Sequence, residues 1–272
     1  MPVTYRDAPL VKPPVWTWEI PIYFFIGGAA GVAAVIAAAA HFSGAAHAAL
    51  ARDAKWIAVI GALISPALLI SDLGRPARFL YMLRVFKLRS PMSVGVWTLV
   101  VFTNAAIAAL LPPGIVSDIA TVVSAASGAI LATYTGVLIG ATAIPVWARN
   151  VDILPVHFGA SGLGAAVSIL ELLGHRTSAM NALGIVAAAV ETVMIAILLT
   201  RGSSAGRLMH GAEILSGPLP LVLRLVAPHM PIVRAAAAAL TIAGSLLTRL
   251  AWIDAGRRSA RESGVEGTSG AV

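Results

Sequence analysis

The sequence predicts an all-α integral membrane protein, a polytopic helical bundle with about eight transmembrane helices. Of its 272 residues, 58% are hydrophobic and only 11% are charged, with a mean hydropathy of +0.89, whereas soluble domains carry about 25% charged residues. The apolar residues come in runs of about 20, the length a helix needs to cross the hydrocarbon core of a bilayer. These runs do not alternate in polarity, as the strands of a membrane barrel do.

The stretch up to Thr17 is polar and proline-rich, with no cleavage pattern behind a short apolar run, so the first span is expected to be retained. Clear spans read over 18–40, 56–71, 93–111, 119–146, 158–173, 180–200 and 232–253. Between the last two lies 214–227, which is shorter and holds Pro218, Pro220 and Arg224; it reads as a short or distorted seventh crossing. Trp16, Trp18, Tyr23, Trp56, Tyr81, Trp97, Trp147 and Trp252 stand near span ends, where an aromatic belt anchors a bundle at the interface. Residues 1–254 thus form one transmembrane domain. Residues 255–272, rich in Gly, Ser, Glu and Arg, read as a flexible tail.

Eight crossings divide the basic side chains unevenly. One side holds Arg6, Lys12, Arg75, Arg78, Arg84, Lys87, Arg89, Arg149, Arg201, Arg207, Arg257, Arg258 and Arg261; the other holds Arg52, Lys55, Arg176 and Arg234. By the positive-inside rule both termini face the cytoplasm. Five of these charges crowd between Asp72 and Ser90, and Arg78, Arg84, Lys87 and Arg89 would equally serve to dock a partner. The net charge of +7 does not point to nucleic acid, because the basic residues sit at helix ends and in loops.

The chain has no cysteine, so it can form no disulfide and cannot hold an iron–sulfur cluster with its own thiolates. A b-type haem needs axial histidines within the spans, but His41, His47, His157, His175, His210 and His229 read at span ends or in loops. No phosphate-binding loop, zinc-hydrolase or serine-hydrolase pattern is present.

Several polar residues need a reason to be where they are. Glu19 and Tyr23 lie four apart on one face at the start of the first span, and Glu19 either reaches water or serves a site. Gly27, Gly28 and Gly31 let another helix approach closely. Asp72 and Arg75 leave the second span three apart, with Pro76 fixing the exit; they can pair with each other or form a polar wall for a headgroup. Ser90, Pro91 and Ser93 open the third span on the same side. In the fourth span Thr133, Tyr134, Thr135 and Gly136 form a polar island, where the phenol can bond a quinone carbonyl or a backbone carbonyl and Gly136 leaves room beside it. Glu191, mid-span, and Glu171, towards a span end, are candidates for a proton path. Arg249 can pair with one of these acids or snorkel to the interface.

The strings WTWEIPIYFFIGGAAG, SDLGRPARF, SPMSVGVW, YTGVLIGATAIPVW and LPVHFGASGL, in this order over residues 16–164, resemble the NrfD/PsrC family, membrane subunits of polysulfide-reductase-like molybdoenzyme complexes. The closing IAGSLLTRLAWIDAG is similar to that family's last helix. Family members usually have a full seventh span after a Gly-Pro-Leu stretch; here GPLPLVLRLVAP is short and carries Arg224. The resemblance implies a haem-free site for menaquinone or ubiquinone near one face of a bacterial inner membrane. It implies a ferredoxin-like iron–sulfur subunit docked there and a molybdopterin catalytic subunit beyond it. The site would lie among the first four helices, with Glu19, Tyr23, Asp72 and Tyr134 as headgroup or proton ligands and Arg75, Thr135 and Gly136 beside them. A transporter would show internal symmetry, but the first-half motifs do not recur in the second half.

Overall fold

A backbone in hydrocarbon has no water to bond, so it must bond to itself, and the apolar runs do this as helices. The computed structural model describes residues 14–75, 77–201 and 207–269, and every regular element among them is helical. In order these are α1 (Glu19–Phe42), α2 (Ala48–Asp72), α3 (Ala77–Met82), α4 (Pro91–Ala108), α5 (Ile115–Gly140), α6 (Pro145–Ala148), α7 (Leu154–Leu172), α8 (Ser178–Thr200), α9 (Arg207–Ser216), α10 (Pro218–Val226) and α11 (Pro231–Ser269). A single 3-10 turn, Ala45–His47, joins α1 to α2. Arg6, Lys12, Pro76 and residues 270–272, which entered the sequence reading, lie outside the described residues.

Six helices among the described residues are long and apolar enough to cross a membrane: α1, α2 with its leading turn, α4, α5, α8 and α11. The chain is a multi-pass membrane protein. The expected eight are not all reached by length and hydropathy. The 19-residue α7 carries His157, Ser161, Ser168 and Glu171, and the stretch expected as a seventh crossing is two short helices broken at Gly217. Pro218 follows the break and has no N–H to continue the ladder of α9, so a new helix starts there.

The buried helix α1 packs against α2, α5, α7 and α11. Its glycines allow this: a Cβ on Gly31 would lie 2.3 Å from the Gly128 carbonyl oxygen of α5, and Gly28 faces Gly162 of α7. The glycine stripe thus packs helices, as expected. At the face where α1 begins, the backbone N–H of Thr17 donates to Asp72 (3.3 Å), Arg257 donates to the Trp16 carbonyl and Arg201 pairs with Asp152 (2.7 Å). At the opposite face His41 meets Asp118 (2.7 Å), His175 meets Asp53 (2.8 Å) and Lys55 donates to the Ala109 carbonyl (3.0 Å).

Two expectations need correction. Trp18, Trp56 and Tyr81 are exposed as belt residues should be, but Tyr23, Trp147 and Trp252 are buried. Trp147 stacks on Trp16 at 5.6 Å and donates its indole N–H to the Trp252 carbonyl (2.8 Å). The helix α11 also runs unbroken past residue 254. Ala255 and Ala260 are buried, and a Cβ on Gly256 would lie 2.1 Å from the Trp147 ring. The small residues that read as a tail are what let α11 lie against that indole.

Candidate functional site

At the face where α1 begins, α1, α2, α4 and α5 surround a cleft of about 530 Å³, counting its open mouth. Tyr23, Asp72, Tyr134, Met92 and Val96 line it, under Trp16. Tyr23 and Tyr134 are buried, at 3% and 7% exposure, yet neither phenol has a hydrogen-bond partner among the described residues. Neither hydroxyl oxygen is among the enclosed, unpartnered side-chain atoms, so both open on the cleft and are free to bond a ligand with carbonyl oxygens there.

Tyr134 reaches the cleft because α4 offers no side chain at Gly95, where a Cβ would lie 1.8 Å from the phenol ring. Sequence reading assigned the space beside Tyr134 to Gly136. Instead the backbone of α7 occupies that side: a Cβ on Gly136 would lie 2.4 Å from the Leu154 carbonyl oxygen. Thr135 is fully buried with an unpartnered hydroxyl and is not part of the cleft wall.

The mouth is acidic. Asp72 lines the cleft, and the Thr17 hydroxyl lies between it and Glu19, donating to Glu19 and standing 3.3 Å from Asp72. Glu19 is therefore tied to the rim rather than to the wall that Tyr23 helps to form. Thr17 was not anticipated; its only signal is its position between Trp16 and Trp18. Of the two roles open to Asp72 and Arg75, pairing with each other is absent among the described residues, and only Asp72 lines the cleft, Arg75 being exposed. The reason is Gly74, whose φ of +65° ends helical spacing one residue before Arg75.

Beyond the rim, Arg78, Arg84, Lys87 and Arg89 are exposed, interleaved with exposed Leu80, Tyr81, Val85, Phe86 and Leu88. Ser90 and Ser93 hold this segment. The Ser90 side chain caps α4, accepting from the Ser93 backbone, and the Ser93 hydroxyl donates to the Val85 carbonyl (3.1 Å).

The proton-path residues separate into two groups. Near the middle of α8, Glu191 is 1% exposed and accepts a hydrogen bond from Ser216 (2.9 Å), the last residue of α9. His157 of α7 lies 3.8 Å from it, fully buried, with neither ring nitrogen bonded. His157 stands in the first turn of α7, at a span end as expected, yet it is buried and packs edge-on to Trp252 inside the bundle. Glu213 of α9 is a second buried acid, with one unpartnered oxygen. It was missed because the apolar stretch was taken to start after it. Arg249 does not snorkel: it is 1% exposed, donates to the Phe158 carbonyl (2.8 Å) and lies 3.7 Å over the Phe158 ring. Since α11 continues well beyond it, Arg249 is not near a helix end.

Glu171, by contrast, is clamped between two buried arginines. Arg224 pairs with it at 2.7 Å and Arg234 donates to its other oxygen. The Arg224 that marked the seventh crossing as short or distorted is thus neutralised by Glu171. Arg234 was counted as a loop charge. Among the described residues no three His, Asp or Glu side chains are placed to hold a metal ion.

A family model described as polysulfide reductase, NrfD_2, matches residues 9–262. No curated protein matches the chain.

Proposed function

Because the chain belongs to the NrfD polysulfide reductase family, membrane subunits of oxidoreductase complexes, we propose that it exchanges electrons between a membrane quinone and an iron–sulfur partner subunit. The observation that carries this reading is the pair of buried, unpartnered phenols, Tyr23 and Tyr134, on a cleft that opens at the membrane face beside Asp72. A quinone, menaquinone or ubiquinone, takes up two electrons and two protons on reduction. The Tyr134 hydroxyl, set by Gly95, holds the headgroup from one side, and Tyr23 from α1 holds it from another. Asp72, linked through Thr17 to Glu19, exchanges protons between the cleft and water.

The absence of cysteine supports a ferredoxin-like partner that carries the clusters and passes electrons to or from a molybdopterin subunit. Arg78, Arg84, Lys87 and Arg89, with the apolar side chains between them, are the docking surface. In this reading α7 and the broken pair α9–α10 complete eight crossings of a bacterial inner membrane, with both termini in the cytoplasm. The test is to purify the chain with its bound proteins and assay for quinone by extraction and for iron–sulfur centres by electron paramagnetic resonance. Both signals are expected; a complex with neither contradicts the proposal.

A second reading adds proton translocation. It rests on Glu191, which meets His157 and the end of α9 where the chain breaks inside the bundle, with Glu213 and Arg249 nearby in the same half. Glu191 receives the proton there, Ser216 holds its carboxyl group in place, and His157 stands beside it.

A further inference from the structure

The face opposite the tyrosine cleft carries a second cleft, of about 800 Å³ counting its mouth, between the end of α1, the first turns of α2 and the loop from α4 to α5. Its wall includes His41, Arg52, Lys55 and Ser117, and no acidic side chain. Lys55 is about two turns inside α2, at a depth where a charge needs a reason. Its ammonium donates to the Ala109 carbonyl (3.0 Å) and lies 3.5 Å from His41 Nδ1; among the described residues no carboxylate pairs with it directly, and Asp118 acts on it only at longer range. The two nearby acids are engaged elsewhere: Asp118 with His41 (2.7 Å), and Asp53 with Arg52 (3.0 Å) and His175 (2.8 Å).

Small side chains, Ala45, Ala48 and Ala51, leave the space open. On the bilayer side, Trp56 and Ile60 of α2 and Ile107 of α4 are exposed and apolar. We propose that this cleft binds the phosphodiester of an anionic phospholipid, with Lys55 and Arg52 on the phosphate and the acyl chains along Trp56, Ile60 and Ile107. A zwitterionic choline lipid would bring a second cation beside Arg52. The depth of Lys55 and the apolar flanks favour a lipid over a free anion.

The test reconstitutes the full chain in phosphatidylcholine vesicles with a minor share of phosphatidylglycerol, extracts it gently and counts retained lipids by native mass spectrometry. Phosphatidylglycerol is expected to be enriched over phosphatidylcholine. Lys55→Gln should lower that enrichment about fivefold, the factor for one basic residue near a bilayer surface, and Lys55→Arg should retain it. Ala48→Trp, which fills the cleft and keeps every charge, should lose it too, and serves if Lys55→Gln does not fold. Equal enrichment in the wild type, Lys55→Gln and Ala48→Trp overturns the site. Release of phosphatidylglycerol by an equal concentration of inorganic phosphate overturns the lipid assignment in favour of a small-anion site.

Discussion

The two halves of the bundle bury polar groups on opposite terms. In α1, α2, α4 and α5 no charged side chain is buried; the buried polar groups are serines and threonines of α2 and α5 and two phenols, Tyr23 and Tyr134, that line an open cleft. In α7 to α11 they are charges enclosed by protein: Glu171 between Arg224 and Arg234, Glu191 against Ser216, Arg249 on Phe158. Uncharged donors can stay unpaired for a ligand at modest cost, whereas a buried charge must be answered from within the fold. In the proposed reading, binding chemistry therefore sits in the first half. The second half holds charge that is structural at Glu171 and less fully answered at Glu191.

The sharpest way to break this contrast is to remove Glu171. Glu171→Gln leaves two buried arginines without their carboxylate and should cost about 3–5 kcal/mol, read as a lower thermal unfolding midpoint of the detergent-solubilised protein. If Glu191→Gln is equally destabilising, the two acids do not differ as described. Gly95→Ala comes next. Its new methyl group overlaps the Tyr134 ring, so about 1–3 kcal/mol of stability should go, together with quinone-linked turnover of the assembled complex; an alanine variant with full turnover would show that Tyr134 need not lie where it does. Glu191→Gln should change the unfolding midpoint little while lowering proton release in vesicles, and unchanged release makes its cluster structural. The smallest effect is at the surface. Arg201 holds the Asp152 carboxyl at about 2, below its usual 3.8, so this pair stabilises at neutral pH and its contribution is lost as pH falls through that window. Asp152→Asn should lower the midpoint slightly at neutral pH, by less as the pH falls below 3.8, and not at all once it is well under 2; screening by solvent keeps the shift small.

How far these regions could be read from the sequence differs for a physical reason. The membrane fold follows from run length and hydropathy, and Tyr23, Asp72 and Tyr134 were picked out because each stands on a helix in a local motif. That they line one cleft follows from antiparallel neighbours. What was not legible depends on which helices touch. Gly95 reads as an ordinary packing glycine until Tyr134 lies on it, and Gly136 reads as space until α7 fills it. His157, Glu213 and Arg234 acquire their partners or their isolation only from α9–α10 and α11, whose bounds were misjudged. Arg249 was expected at the interface because α11 was ended at residue 253; a helix that continues to Ser269 leaves it in the interior.

The central claim is that the Tyr134 hydroxyl holds the quinone headgroup. Tyr134→Phe removes that one oxygen and leaves the ring on Gly95. In the assembled complex it should lower quinone-linked turnover by about tenfold, the worth of roughly one lost hydrogen bond, while dye-linked activity of the catalytic subunit stays at the wild-type level. Wild-type quinone-linked turnover in Tyr134→Phe would contradict it.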